Sequence, residues 1–220
     1  MSDLIVRDLH VDRGGREILR GCTTVFASGR RTVLWGRSGA GKSTLLAAIA
    51  GLLVPQSGTI ELGSRVFFSA AAGIDLPPYK RRVGFVFQDL ALWPHLKAID
   101  QVSLVGGPAG TTRSDAQALL ESVGLAGLEH RRPGQLSGGE QQRLAIARGL
   151  AGKPSVLLLD EPFSSVDQQT KEILYDVLRQ VSRSVSGPTI YVTHHREDAV
   201  DLAEAIVTMD AGRLVPDMDE

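Results

Sequence analysis

The sequence predicts an α/β fold with a mostly parallel sheet, an N-terminal antiparallel β layer and a helical subdomain insertion. Three observations predict it. Short apolar, β-branched segments recur between helix-like ones: Thr32–Trp35, Val83–Phe87, Val156–Leu159, Thr189–Thr193 and Ile206–Met209. Continuously apolar strands imply burial on both faces, as in a parallel sheet covered by helices. The first thirty residues differ: Leu4–Val11 and Glu17–Phe26 read as strands around a Gly14-Gly15 turn, which suggests a small antiparallel layer. Between Asp89 and Pro154 the pattern turns mostly helical.

Each element has its own signal. Helices are predicted at Thr44–Ala50, Gly139–Ala151, Gln168–Ser182 and Arg196–Leu202. The third presents Ile173, Leu174, Val177, Leu178 and Val181 on one face. Ser114 is placed to cap a helix running to Val123, and Gly124 to end it. One domain, 1–220, is thus expected, with an antiparallel layer at 1–30 and a nucleotide-binding core at 31–88 and 154–212. A helical subdomain at 89–153 and a frayed acidic tail at 213–220 complete it.

Composition excludes several classes. The 220 residues suffice for one substantial core, and 43% hydrophobic with 22% charged residues is ordinary for a soluble globular chain. A net charge of −1 gives no broad attraction to nucleic acid, and no nucleic-acid partner is expected. The short basic clusters Lys80-Arg81-Arg82 and Arg131-Arg132 read as solvated loops. Cys22 is the sole cysteine, so no intrachain disulfide forms, which fits a reducing compartment. Asp3, Arg7 and Asp8 leave no room for a signal-peptide apolar core, and the run Leu45–Val54 is too short for a membrane span. The chain is not expected to cross a membrane by itself.

Chemistry begins at Gly36-Arg37-Ser38-Gly39-Ala40-Gly41-Lys42-Ser43, which fits G-x-x-x-x-G-K-[ST] at every fixed position. It lies between the apolar segment Thr32–Trp35 and the helix opening at Thr44, the context that the pattern requires. Such a loop lays backbone N–H groups around a phosphate, and the helix N-terminus adds about half a positive charge. Lys42 is placed for the β/γ-phosphates and the Ser43 hydroxyl for Mg²⁺. The core is therefore of the P-loop NTPase type, and the chain binds a nucleoside triphosphate.

Val156–Leu159 ends in Asp160-Glu161, two acids at the carboxyl end of a buried strand, where ligands of parallel sheets bind. Asp160 suits Mg²⁺ through water; Glu161 suits orienting or deprotonating a water. Leu136-Ser137-Gly138-Gly139-Glu140 opens the preceding helix, with Ser137 as N-cap and two glycines that free N–H groups for an anion. Spacing alone leaves open whether the two phosphate-seeking helix ends serve one nucleotide.

These motifs in this order resemble the ATPase (nucleotide-binding) subunits of ABC transporters over nearly all of the chain. The phosphate loop, the LSGGE signature at Leu136–Glu140 and Asp160-Glu161 are joined by Gln88 after the second core strand, His194 after the last catalytic strand, and the segment Ser164-Ser165-Val166-Asp167. The resemblance implies an ATPase with ATP and Mg²⁺ as its ligands. It implies a head-to-tail homodimer in which each ATP lies between one phosphate loop and the partner's signature. Ser137 and Gly139 would contact the γ-phosphate across the interface. Gln88 would contact Mg²⁺ and the attacking water, Glu161 would be the general base, His194 would hold the γ-phosphate and Glu161, and Asp167 would link the two sites. The neighbouring His195 reads as an ordinary strand-end histidine. Arg13 stands where family members place an aromatic that stacks on adenine; a guanidinium plane can also stack on a base. Asp100-Gln101 replaces the acid–Asn pair common in import-type members.

Leu76–Val83, Gln88–Leu96 and Glu161–Asp167 resemble bacterial importers of small solutes such as molybdate, polyamines or sugars. In that reading the chain works peripherally on the cytoplasmic face of the membrane, with integral permease subunits and, indirectly, a solute-binding protein. Trp93 and Leu96 are candidates for a groove that takes a permease helix, and no C-terminal regulatory domain is expected after Glu220. The alternatives are a non-transport module that uses ATP-gated dimerisation as a mechanical or scaffolding switch, and an exporter or lipoprotein-release ATPase.

Overall fold

The computed structural model describes residues 2–105, 111–163 and 166–215. Strands β1 (Leu4–Arg13) and β2 (Arg16–Phe26) form an antiparallel hairpin. Gly14 and Gly15 turn it at φ 61° and 78°, the left-handed pair that a two-residue hairpin loop needs. β3 (Arg31–Trp35) runs through the phosphate loop into α1 (Lys42–Ala50). Next come β4 (Ser57–Leu62), β5 (Arg65–Ser69), β6 (Ile74–Asp75), α2 (Pro78–Arg81) and β7 (Val83–Val86). The helical part holds α3 (Ala98–Val105), α4 (Arg113–Ser122) and α5 (Gly138–Leu150). The core then closes with β8 (Val156–Asp160), α6 (Gln168–Ser182), β9 (Thr189–Thr193), α7 (Arg196–Leu202), β10 (Ala205–Asp210) and β11 (Arg213–Val215).

Among the described residues the strands form two sheets. One is antiparallel, in the order β2-β1-β4-β5-β6. The other has the order β11-β10-β3-β9-β8-β7 and is parallel except for the β10–β11 hairpin. Every residue of β8 and of β9 is buried, which explains their unbroken apolar character. Helix α1 lies between the sheets: Leu45, Leu46, Ala48 and Ile49 share a core with Leu4, Val6 and Leu9 of β1 and Leu158 of β8. A second core joins Val102 of α3, Leu120 of α4 and Leu144 of α5 to Leu157 and Leu159 of β8.

Several expectations need correction. The antiparallel layer is not confined to 1–30, because β4–β6 join it through pairs such as Leu4↔Leu62 and His10↔Ser57. That pairing is long-range, so nothing local to residues 57–75 announces it. Arg81 is no solvated loop residue: it is fully buried. Its guanidinium donates to the carbonyls of Ala48 (2.7 Å) and Ile49 (2.9 Å) in the last turn of α1, and pairs with Asp75 at 2.8 Å. Helix α4 is capped by Thr112, not Ser114, through a reciprocal capping box with Asp115. The buried face of α6 is rotated: Tyr175 joins Leu174, Leu178 and Val181, while Ile173 is half exposed. Residues 213–215 are strand β11, not tail. Residues 216–220 and the Ser164-Ser165 pair lie outside the described residues. No helix among the described residues is long and apolar enough to cross a membrane.

Candidate active site

The phosphate loop is seated on the core by close approach. A Cβ on Gly36 would fall 2.2 Å from the carbonyl oxygen of Met209 in β10, so only glycine fits. Gly41 ends the loop at φ 106°, a conformation L side chains rarely adopt. Lys42 is buried, and its ammonium donates to the Gly36 carbonyl (2.7 Å) and the Arg37 carbonyl (2.9 Å) of its own loop. Burial pulls its pKa down, opposed by the charges of Glu161 and Asp160.

In front of the loop opens a cleft of about 490 Å³. The loop and the first turn of α1 supply Ser38, Gly39 and Gly41–Thr44 to its wall. Other elements bring Arg13 from β1, Gln88 from beyond β7, Glu161 from beyond β8 and His194 from beyond β9. Gly36 and Ala40 are buried behind it, and Arg37 is exposed without lining it. Ile18 of β2 also lines the cleft; sequence reasoning missed it, because one apolar residue within a strand carries no distinguishing signal.

Asp160, the last residue of β8, is buried and accepts a hydrogen bond from the Ser43 hydroxyl at 2.9 Å. Burial pushes its carboxyl above the usual range; the Ser43 bond opposes the push and the charge of Glu161 adds to it. Glu161 follows in left-handed backbone, φ 45°, which costs a non-glycine residue about 1–3 kcal/mol. Its N–H donates to the Val192 carbonyl at 3.0 Å, and its Oε1 lies 2.9 Å from His194 Nδ1. The Ser43 hydroxyl, the Asp160 carboxylate and the Gln88 amide offer hard oxygen donors. That set fits Mg²⁺, which keeps several waters and takes few protein ligands.

The signature residues lie elsewhere. Ser137 caps α5: its hydroxyl accepts from the Glu140 N–H (3.3 Å), and Glu140 Oε2 accepts from the Ser137 N–H (2.7 Å). Gly138 is exposed, and Gly139 is buried against α6. Asp167 caps α6, accepting from the Thr170 N–H at 3.0 Å. None of Ser137, Gly138, Gly139, Glu140 or Asp167 lines the cleft of its own chain.

Supporting groups absent from the sequence reading surround these parts. Asp198 of α7 is buried and accepts from Lys171 (3.1 Å), Tyr175 (2.6 Å) and the Thr193 hydroxyl (3.0 Å). Thr193 directly precedes His194, and its hydroxyl accepts from the His195 N–H at 3.0 Å. Gln101 is buried and gives the Asp100-Gln101 pair a purpose: its amide bonds the Trp93 N–H and carbonyl, each at 3.1 Å. Trp93 lines a second cleft of about 340 Å³ with Phe87, Ala91, Val105 and Arg148. Leu96, its predicted companion, is half-buried and lies outside that cleft. The Arg148 guanidinium sits 5.0 Å from the Trp93 ring centroid and donates to the carbonyls of Leu90 and Ala91.

The family model described as ABC transporter matches residues 19–164. The chain is 38% identical over 211 residues to the molybdenum import ATP-binding protein ModC of Photobacterium profundum, covering 94% of this chain and 55% of that protein. It is 42% identical over 183 residues to ModC of Yersinia pestis, covering 83% of this chain and 50% of that protein. It thus spans about half the length of the curated relatives it matches. A dimeric ATP-binding cassette in a post-hydrolysis state with ADP and Pi superposes with a TM-score of 0.80 at 28% identity, over 96% of each chain. A bacterial Atm1-family ABC exporter with ATP bound gives a TM-score of 0.80 at 26% identity, over 97% of this chain and 38% of that one. With the motifs in their family order, three strand ends meeting at one phosphate loop and the family model spanning most of the sequence, the chain belongs to the ABC transporter family as one of its ATP-binding cassettes.

Proposed function

We propose that the chain is the ATP-hydrolysing subunit of an ABC importer, working as a head-to-tail homodimer with Mg²⁺ on the cytoplasmic face of a membrane. The observation that carries this is the split of the phosphate-binding parts. Lys42, Ser43, Asp160, Glu161 and His194 meet at one cleft, while the second phosphate-seeking helix end, Ser137–Gly139, does not line it. A second copy turned head to tail would supply that end. The dimeric cassette with ADP and Pi supports a pairing of two such chains.

Within that reading the residues divide the work. Lys42 carries its charge to the β/γ-phosphates, exchanging its loop carbonyls for them. Ser43 and Asp160, already 2.9 Å apart, would hold Mg²⁺ with Gln88. The metal, when bound there, would supply charge neutralisation for the phosphates. Glu161 takes the proton of the attacking water, and His194 fixes its carboxylate and faces the γ-phosphate. Arg13 stacks on the base at the cleft mouth. Asp167 reaches the partner's site.

Import is favoured over export by the ModC relatives, which are named as molybdenum import ATP-binding proteins. The exporter neighbour shares the fold equally well, so the fold itself does not choose. Permease subunits would then engage the Trp93 cleft, and molybdate is the first cargo to test. The deciding experiment is size-exclusion chromatography with light scattering on the Glu161→Gln variant with ATP and Mg²⁺. A dimer that needs ATP is expected. A strict monomer at high concentration, beside a wild type that still hydrolyses ATP, would overturn the split site.

A further inference from the structure

Gly139 and Thr170 approach unusually closely. A Cβ added to Gly139 would lie 2.4 Å from Thr170 Cγ2, so the Thr170 methyl fills the space that any side chain at 139 would need. The other branch of Thr170 is also committed. Its hydroxyl donates to Asp167 Oδ2 at 2.8 Å, and its N–H donates to Asp167 Oδ1 at 3.0 Å. Both branches leave one Cβ, so χ1 cannot turn the methyl away from Gly139 without pulling the hydroxyl off Asp167. One side chain thus touches the signature turn of α5 and the residue that opens α6.

We propose that Thr170 is a positioning residue that locks the signature turn to Asp167, so that the two parts a protomer offers its partner are presented as one rigid surface. This rests on the head-to-tail reading above. It also assigns Gly139 a specific reason to be glycine. Its missing Cβ points at Thr170 of its own chain, so the constraint there is contact with α6 and not room for a phosphate.

The test is a compensation experiment in the full chain. Gly139→Ala forces Thr170 aside, and Thr170→Ser removes the obstructing methyl while keeping the hydroxyl. Gly139→Ala is expected to lower kcat by roughly ten- to a hundredfold through misplacement of the signature turn. The double variant Gly139→Ala/Thr170→Ser should recover most of that loss. The same rescue is expected for ATP-dependent dimerisation in the Glu161→Gln background and for the nucleotide-free thermal midpoint. ATP affinity of the dilute monomer should stay unaltered throughout, which a general loss of structure would not allow. Rescue of the thermal midpoint without rescue of kcat and dimerisation would overturn the positioning role. So would equal turnover in wild type and Gly139→Ala. If the wild type itself neither dimerises nor hydrolyses ATP, the functional reading fails and the positioning role falls with it.

Discussion

His194 Nδ1 lies 2.9 Å from Glu161 Oε1, and Glu161 reaches that place in left-handed backbone at φ 45°. The pair comes from neighbouring strands: the register sets Asp160 against Val192, so Glu161 after β8 and His194 after β9 both emerge at the carboxyl end of the sheet. The strained turn aims the Glu161 carboxylate at His194 and the cleft instead of continuing the strand.

Glu161→Gln keeps the shape and removes the proposed base. Turnover should fall by roughly 10²-fold or more, the scale for losing a positioned base, while ATP binding persists. Steady-state phosphate release beside an ATP titration checks both halves. Near-normal turnover would remove the assignment.

Lys42→Ala should weaken ATP binding by roughly ten- to a hundredfold, the worth of hydrogen bonds to a charged group. Its ammonium already spans the loop between Gly36 and Arg37. Calorimetric titration with a non-hydrolysable ATP analogue reads it directly, and equal affinity would contradict the role.

Arg13→Tyr should tighten adenine-nucleotide binding by a few-fold to tenfold, since base–aromatic stacking is worth about 1–3 kcal/mol and the guanidinium it replaces already supplies part of that. Arg13 is exposed on the cleft wall, so the replacement meets no packing constraint. An unchanged dissociation constant would count against stacking at this position.

Asp160 sets a pH dependence. Its carboxyl pKa is raised, chiefly by burial. A raised value means that the folded state holds the proton more tightly than the unfolded chain. The group therefore favours folding below its unfolded pKa and loses that advantage as pH rises through the folded value. Above its unfolded pKa the group therefore burdens the nucleotide-free fold. Asp160→Asn should raise the thermal midpoint at pH 7 by about 2–4 °C per kcal/mol relieved, and the gain should shrink as pH falls toward the carboxylate range. Melting curves across pH decide it; a lower midpoint at pH 7 would refute the burden.

Asp198→Ala leaves Lys171, Tyr175 and the Thr193 hydroxyl without their shared acceptor. Breaking a buried pair from one side costs about 3–5 kcal/mol. Chemical denaturation should show a loss of that size, with slower turnover because Thr193 precedes His194. A loss like that of an ordinary surface substitution would show that the network does not hold the fold.

Much of this was legible in the sequence, and the reasons are physical. Strands β8 and β9 announced themselves because burial on both faces demands unbroken apolar runs. The phosphate loop was legible because its chemistry tolerates few residue types, and Ser137–Glu140 because a capping box is local. What escaped was non-local. Strands β4–β6 owe their sheet to pairing with β1, far away in sequence. Arg81 looked like one more surface cation, since the carbonyls of Ala48 and Ile49 that enclose it come from another helix. Asp198 was hidden among the acids of a short helix, and its meaning lies in partners on α6 and β9. The placement of the signature outside its own cleft followed from the family resemblance and not from spacing, because spacing along a chain says nothing about which face a helix end meets.

The grip of Arg148 on the turn after Gln88 gives α5 a mechanical character. Its thirteen residues make a rod about 20 Å long. One tip carries Ser137, and the far end clamps Leu90 and Ala91, both in left-handed backbone at φ 59° and 44°. A rod joined in this way to the Trp93 rim offers a path along which a displacement at one end would reach the other.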